Sequence, residues 1–302
     1  MDLQKRRLRR KLNERFIEAS LFILAIASIF ITLSIFYFLI KESSSTFMEF
    51  GPISLLMGQK WHPPADIYGM MPLIVTSLMV TFLALFINIL IGIPLAIYLA
   101  ELAGPRSKAV LKPAIELLAG VPSIVYGLLG VIILVPYLQD SFYMLSGRSI
   151  LAGSILLGIM FIPYITTICE DALRAVPSEF KEASYALGAN EWETIRHVTV
   201  PAASSGITAA ILLNIGSIIG ETMAVLLVVG NVARIPSPIF NIFGQGATFT
   251  SVIAGEMGEV AIGSLHYHAL FSVGFILLVI VTILSVLADL ARARIRKKFG
   301  GY

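Results

Sequence analysis

Six stretches of the chain contain no Asp, Glu, Lys or Arg: residues 19–40, 67–100, 117–139, 149–169, 197–220 and 260–288. Each reaches the roughly 20 residues that an α-helix needs to cross a bilayer. The 302 residues are 57% hydrophobic and only 14% charged, so there is more apolar surface than the polar side chains of a soluble fold could cover. Backbone in lipid must pair its own polar groups, and helices do this within a single segment. The expected fold is therefore all-α: a polytopic membrane protein with six transmembrane helices. A seventh uncharged run, 235–255, contains Pro236, Pro238, Asn241, Gly244, Gln245, Gly246 and Gly255. Such a run would leave backbone groups unpaired at a cost of several kcal/mol each by rough estimate, so it is read as an external or re-entrant segment.

Lys and Arg near span ends resist translocation, and their placement orients the chain. One side collects Lys5, Arg6, Arg7, Arg9, Arg10, Lys11 and Arg15, then Arg106, Lys108 and Lys112, then Arg174, Lys181 and Arg196, and finally Arg292, Arg294, Arg296, Lys297 and Lys298. The opposite side keeps Lys41, Lys60, Arg148 and Arg234 of the 22. Both termini of this multi-pass chain are expected in the cytosol. The net charge of +3 follows this topological bias and does not point to nucleic acid. The first apolar run is longer than a signal-peptide core and no small-x-small site follows it, so an uncleaved first span is expected. Cys169 is the single cysteine, which excludes an intrachain disulfide and a cysteine metal cluster.

Residues 41–71 read as a loop of about thirty residues punctuated by Pro52, Gly58, Pro63 and Pro64, too short for a core of its own. Two regions are therefore expected. Residues 1–71 form a basic cytosolic tail, first span and external loop, and residues 72–302 form a five-helix working unit. Gly92 and Pro94, Gly120 and Pro122, and Pro163 interrupt the second, third and fourth spans. They fit a bent, gated pathway and equally the ordinary Gly and Pro content of membrane helices.

The loop between the fourth and fifth spans has its own pattern. Ser178 is placed to cap a helix with an apolar stripe at Phe180, Ala183, Ala186 and Leu187, and Gly188 supplies a position free to turn. Asn190 followed by Glu193 reads as a capping box, and Pro201 marks the start of the fifth span. Glu182, Ala183, Ser184, then Gly188, then Val198, Val200 and Pro201 resemble the EAA loop through which permease subunits of ABC importers receive the push of a separate ATPase. In that setting Glu182 and Ala183 belong to the docking element, Gly188 permits close packing, Trp192 is an anchor and Pro201 closes the motif. No GxxxxGK[ST] phosphate loop occurs in the chain, so ATP hydrolysis is expected on another polypeptide and the chain itself is expected to be non-catalytic, with no cofactor.

Glu221 lies deep in the fifth apolar region, in GSIIGETMAVLLVVGN. A carboxylate at bilayer depth costs on the order of 2.5–3.5 kcal/mol on insertion scales, so it is expected to face protein or water and to have a partner. The segments IYLAEL at 97–102, IELLAGVPSIVYGLLG at 115–130, IGETMAV at 219–225, GNVARIPSPIF at 230–240 and GEMGEVAIGSLHYHALF at 255–271 resemble the PstC-type membrane subunit of phosphate ABC importers. The resemblance implies the ABC importer permease fold and one half of a phosphate pathway. It also implies a PstA-type second permease, a PstB-type ATPase dimer and a PstS-type phosphate-binding protein. By motif match Glu221 is the glutamate linked to the path, with Ser217, Thr222 and helix-end N–H groups as neutral donors along it. Many relatives carry arginine where this chain has Ser217, so Glu221 is expected to pair with a cation of the second permease. A role confined to holding the two permeases together is the alternative.

Other signals weigh less. His266 and His268, even with His62, lack a second ligand cluster at matching spacing and read as interfacial or packing residues. Glu116 is either a span-end charge or an interhelical bond. Glu256 and Glu259 fit an external turn. A permease for molybdate or sulfate would share the loop but not GETMAV with GNVARIP, and a self-contained secondary transporter would show repeated halves, which are not evident.

Overall fold

The computed structural model describes residues 2–298, with side chains described for residues 14–287, 289, 290 and 293. The terminal basic side chains before Glu14 and after Leu290 lie outside that set, as do residues 299–302. Four helical segments are apolar and long enough to span: Glu14–Phe50, Met71–Leu102, Ser123–Ser141 and Leu265–Leu287. Two bent pairs, Ile150–Met160 with Ile162–Arg174 (40°) and Glu191–Ala202 with Ser204–Gly220 (65°), bring the number to six when each pair is one span.

In chain order, α1 is Asp2–Phe50, α2 Pro52–Met57, and a two-residue hairpin pairs β1 (Trp61–His62) with β2 (Ile67–Tyr68). The second span is α3 (Met71–Ile97), which closes in a π-helical turn, Tyr98–Leu102. Next come α4 (Pro105–Ala119), α5 (Ser123–Leu129), α6 (Val135–Ser141), α7 (Ile150–Met160) and α8 (Ile162–Arg174). The loop after them holds α9 (Ser178–Ala186), α10 (Glu191–Thr194) and α11 (Val200–Ala202). The chain then continues through α12 (Ser204–Gly220), α13 (Met223–Val228), α14 (Phe249–Glu256) and α15 (Leu265–Lys298).

The span edges depart from the apolar runs in three places. Helix α1 continues to Phe50, where a loop from residue 41 was expected, because its second half lies along α15. Ser43 and Thr46 are buried there, Phe38 and Phe47 meet Phe271 and Phe275 edge-on at 5.3 and 5.8 Å, and His268 bonds the Glu42 carbonyl at 2.9 Å. The run at 117–139 is not one helix. Pro122 cannot donate an N–H, so α4 ends at Ala119 and the span starts at Ser123. The amphipathic α4 that precedes it leaves Glu116 exposed, as a span-end charge. At Pro163 the missing N–H and the ring produce the bend between α7 and α8.

Close packing in the bundle depends on small residues. A Cβ on Gly92 would lie 2.3 Å from Ile165 Cγ2, and one on Gly206 would lie 2.4 Å from Ala172 Cβ, so α8 approaches both α3 and α12 at backbone contact. Gly92 is thus a packing residue. Nearby, the buried Asn88 amide donates to the Gly158 carbonyl at 2.6 Å, and Asn214 donates to Asn88 Oδ1 at 2.6 Å, tying α3, α7 and α12 together. In a medium without water, each such bond removes a polar group that would otherwise stay unpaired.

The segment 235–255 does not cross. It is irregular through residue 248, and α14 then begins with Thr248 and Ser251 capping each other's backbone N–H. Its Phe249 and Val252 join Leu55, Trp61, Tyr68, Met70, Leu73 and Leu270 in one cluster. Glu256 accepts from Trp61 Nε1 at 3.1 Å and meets His266 Nε2 at 2.7 Å, so His266 and Glu256 are packing partners. Among the described residues no group of three His, Cys, Asp or Glu could hold a metal ion. Burial, and then the bond to Asp66, push the Tyr68 hydroxyl up to about 12, so it remains a proton donor to Asp66 at 3.0 Å.

Gly92→Leu forces overpacking between α3 and α8 and is expected to cost about 1–3 kcal/mol, lowering the thermal unfolding midpoint of the solubilised protein. Gly216→Ala, where a Cβ meets open space, leaves that midpoint unchanged. Thermal scans read by size-exclusion fluorescence check both.

Candidate functional site

Two sets of sequence-predicted residues are kept apart by the fold. Helix α3 links them: its Ser77 and Thr81 lie beside Glu221, while Glu101 in its terminal turn holds the loop that contains Glu182. At 1.5 Å per residue the separation along α3 is about 30 Å.

At the loop end, α9 has no buried residue. Ser178 is its first helical residue and makes no side-chain cap, contrary to expectation; Pro177 occupies the cap position and its carbonyl accepts from Phe180 N at 3.3 Å. The expected apolar stripe lies on the outer face of the helix. Leu187 is 90% exposed and Trp192 58%, with Tyr185 and Phe180 also on the surface, so the apolar face is presented outward. Glu182, Ala183 and Gly188 are exposed beside them. Gly188 has φ +87° with no atom within 4 Å of an added Cβ, so the left-handed backbone alone requires glycine there. The capping box holds as expected: Asn190 N donates to Glu193 Oε2 at 2.8 Å and Glu193 N to Asn190 Oδ1 at 2.9 Å. Pro201 sits half-buried in α11, two residues ahead of the 65° bend at Ala203 that leads into the fifth span.

Two contacts brace the knob formed by α9 and α10, and a third braces the end of α8 that leads into it. Lys181 Nζ bonds both carboxylate oxygens of Glu101 at 2.8 Å, with Glu101 only 9% exposed. The Ser184 and Thr194 hydroxyls join α9 to α10 at 2.9 Å, and Thr194 and Ile195 are buried. At the end of α8, buried Glu170 meets Arg174 at 2.6 Å and Lys112 of α4 at 3.6 Å. Sequence reasoning missed Glu101, Lys181 and Glu170 as a set. The i,i+4 spacing of Glu170 and Arg174 was a usable signal, whereas the partner of Lys181 lies 80 residues away.

At the other end, Glu221 is not inside a helix. It is the extended residue (φ −66°, ψ 131°) that follows α12, and the helix restarts as α13 after Thr222. Glu221 is half-buried and its Oε1 accepts from Ala224 N at 3.2 Å, so one helix-end N–H expected to be an open donor is taken by this carboxylate. The Glu221 carbonyl accepts from Thr250 Oγ1 at 2.8 Å. A cavity of about 10 Å³ adjoins the break, lined by Glu221 with the hydroxyl residues Ser77, Thr81, Thr248 and Thr250. Ser217 and Thr222 spend their hydroxyl protons on the carbonyls of Leu213 and Gly220, both at 3.2 Å. Among the described residues no Lys or Arg pairs with Glu221. The arrangement is a carboxylate held at a helix break, beside a small cavity whose remaining walls mix its four hydroxyl residues with Val80, Leu157, Ile218, Ile219 and Val225.

The pattern of the family described as "Binding-protein-dependent transport system inner membrane component" matches residues 92–299. The chain is 38% identical over 280 residues to the Bacillus subtilis protein described as "Probable ABC transporter permease protein YqgH", covering 91% of this chain and 88% of that one. It is 33% identical over 294 residues to the phosphate transport system permease protein PstC of Pasteurella multocida, covering 88% and 90%. Among solved structures, an inward-facing form of the MetNI methionine ABC transporter aligns with TM-score 0.57 at 19% identity, covering 78% of this chain and 99% of that one. An amino acid ABC transporter aligns with TM-score 0.53 at 23% identity, covering 74% and 92%. These two carry the fold alone.

Lys181→Gln removes the tie to Glu101 and is expected to cost about 1–2 kcal/mol, raising amide hydrogen exchange across α9 roughly five- to thirtyfold. Exchanging the charges, Glu101→Lys with Lys181→Glu, brings exchange back toward the native rate. Exchange read by mass spectrometry on the solubilised protein checks both variants.

Proposed function

Since the chain belongs to the inner-membrane components of binding-protein-dependent transport systems, and within them resembles PstC-type subunits along most of its length, we propose that it is the transmembrane permease subunit of an ATP-driven phosphate importer. It forms half of the translocation pathway. Residues 72–302 are the working unit, and residues 1–71 are an accessory helix with an external segment. A PstA-type permease completes the pathway, a PstB-type ATPase dimer supplies the work, and a PstS-type protein delivers phosphate from outside. The chain does no chemistry of its own, and both termini lie in the cytosol with α9 and α10.

The observation that carries this reading is the braced, outward-facing knob at 178–202, whose Leu187 and Trp192 are left exposed by the described residues. A docked rigid element transmits a rigid-body movement that a loose loop would absorb. Glu182, Ala183, Gly188, Trp192 and Pro201 are the coupling residues. Glu221, Ser217 and Thr222 belong to the path, with Glu221 paired to a cation of the second permease so that a phosphate dianion does not meet an uncompensated carboxylate.

Co-expression with the partner chains and reconstitution into vesicles tests the whole assignment: ATP-dependent uptake of phosphate is expected, without uptake of molybdate or sulfate. Glu221→Gln is expected to lower phosphate uptake by the assembled complex at least about tenfold, the ratio that 1.4 kcal/mol represents. Unchanged uptake rejects a role in the path. Gly188→Val places a β-branched residue at φ +87°, a strain on the order of 1–2 kcal/mol confined to the knob. Membrane insertion stays normal while phosphate moved per ATP hydrolysed falls; native coupling in this variant removes Gly188 from the docking role.

A further inference from the structure

Four of the 22 Lys and Arg fall on the side opposite the coupling knob by the sequence reading, and the structure brings two of them together. Lys60, just before β1, and Arg234, in the irregular stretch after α13, are direct partners in an antiparallel backbone bridge. Side chains opposed in this way start about 4.5–5.5 Å apart at their Cβ atoms, and like charges so placed are destabilising unless something between them is negative. Among the described residues neither Lys60 nor Arg234 is held in an ion pair. The nearby carboxylates are already engaged, Asp66 by the Tyr68 hydroxyl and Glu256 by Trp61 and His266.

Both cations are exposed and line an open depression of about 630 Å³ together with Gln59, His62 and Ile67, exposed as well, and Ile235. Arg234 also borders a second cavity of about 510 Å³, whose polar lining includes Ser146, Ser237, Asn241 and Gln245. The arginine thus stands on the wall between two concave spaces. A guanidinium fork beside a lysine, a histidine and a primary amide is donor-rich and suits a tetrahedral oxyanion, which takes several N–H groups at once. These spaces flank the start of α3, at the opposite end of that helix from Glu101 and Lys181.

We infer that Lys60 and Arg234, with His62 and Gln59, form an outer staging site that captures a free inorganic oxyanion, phosphate in the proposed function on which this inference rests, before it reaches the helix break at Glu221. A concave site is chosen over a docking face for an acidic protein surface because the paired cations line the walls of a depression.

The test uses the assembled complex in lipid vesicles and follows acetylation of the Lys60 amine by mass spectrometry, in phosphate and in chloride at matched ionic strength. Saturating phosphate is expected to slow Lys60 acetylation by about tenfold, as occupancy of a binding site requires, and Arg234→Gln abolishes the protection. Equal rates in phosphate and chloride overturn the site. So does protection that appears only when the soluble binding protein is added, which would make this face a docking surface. Phosphate uptake by the same wild-type vesicles is measured in parallel: no uptake defeats the transport assignment, whereas normal uptake with an unprotected Lys60 defeats the staging site alone.

Discussion

In a bilayer every backbone amide needs a partner within the protein, and the interruption at Gly220–Glu221–Thr222 is where this chain meets that demand least easily. Three groups meet it. Thr250 Oγ1 donates to the Glu221 carbonyl, the Glu221 carboxylate accepts from Ala224 N, and Ser77 Oγ of α3 accepts from Phe249 N, which fixes α14 against the break. The irregular stretch after α13 leads into the short α14, which packs between α13 and the last span α15. A carboxylate that ends one helix and caps the next also fixes the point where the chain turns. Its half-buried state is therefore set by the fold as much as by its charge.

The opposite end of α3 obeys the same physics with charges. Glu101 and Glu170 are both almost completely buried at span ends, where an unpaired carboxylate would be strongly unfavourable, and each is met by a cation from a neighbouring element. Lys181 comes from α9 and Lys112 from α4, so both amphipathic elements on that face are tied to spans. A displacement of α9 therefore acts directly on the terminal turn of α3. The same helix carries Ser77 and Thr81 to the wall of the Glu221 cavity. One continuous helix therefore connects the loop that carries Lys181 to the helix break at Glu221.

What the sequence disclosed follows from how local each signal is. The spans were legible because hydrocarbon thickness sets a length, and Asn190 with Glu193 because a capping box is written within four residues. Span edges were misplaced where a tertiary neighbour decided them. The Phe residues of α15 carry α1 on to Phe50, and Pro122 cuts an uncharged run that length alone would admit. Ser178 has the chemistry of a cap, but the preceding Pro177 takes the position. Glu221 was visible as an anomaly in apolar sequence, although its place at a helix break was not, since GET carries no proline to announce one. The Asn88–Asn214 bond and the Glu101–Lys181 tie join residues 126 and 80 positions apart, and nothing in either local pattern names its partner.

The exposed faces of the bundle differ in what a bilayer can offer them. Ile132 and Ile133 are more than 60% exposed, as are Phe82 and Phe86 of α3, so large apolar side chains cover much of the outer surface. Lipid satisfies them without any protein partner, and they say little about assembly. The polar features differ. Ser217 and Glu221 are only partly covered, and a polar group at membrane depth gains nothing from acyl chains. Such groups require water or another polypeptide on their open side. The position of Glu221 at the backbone turn between α12 and α13 fixes where along the chain that open side falls.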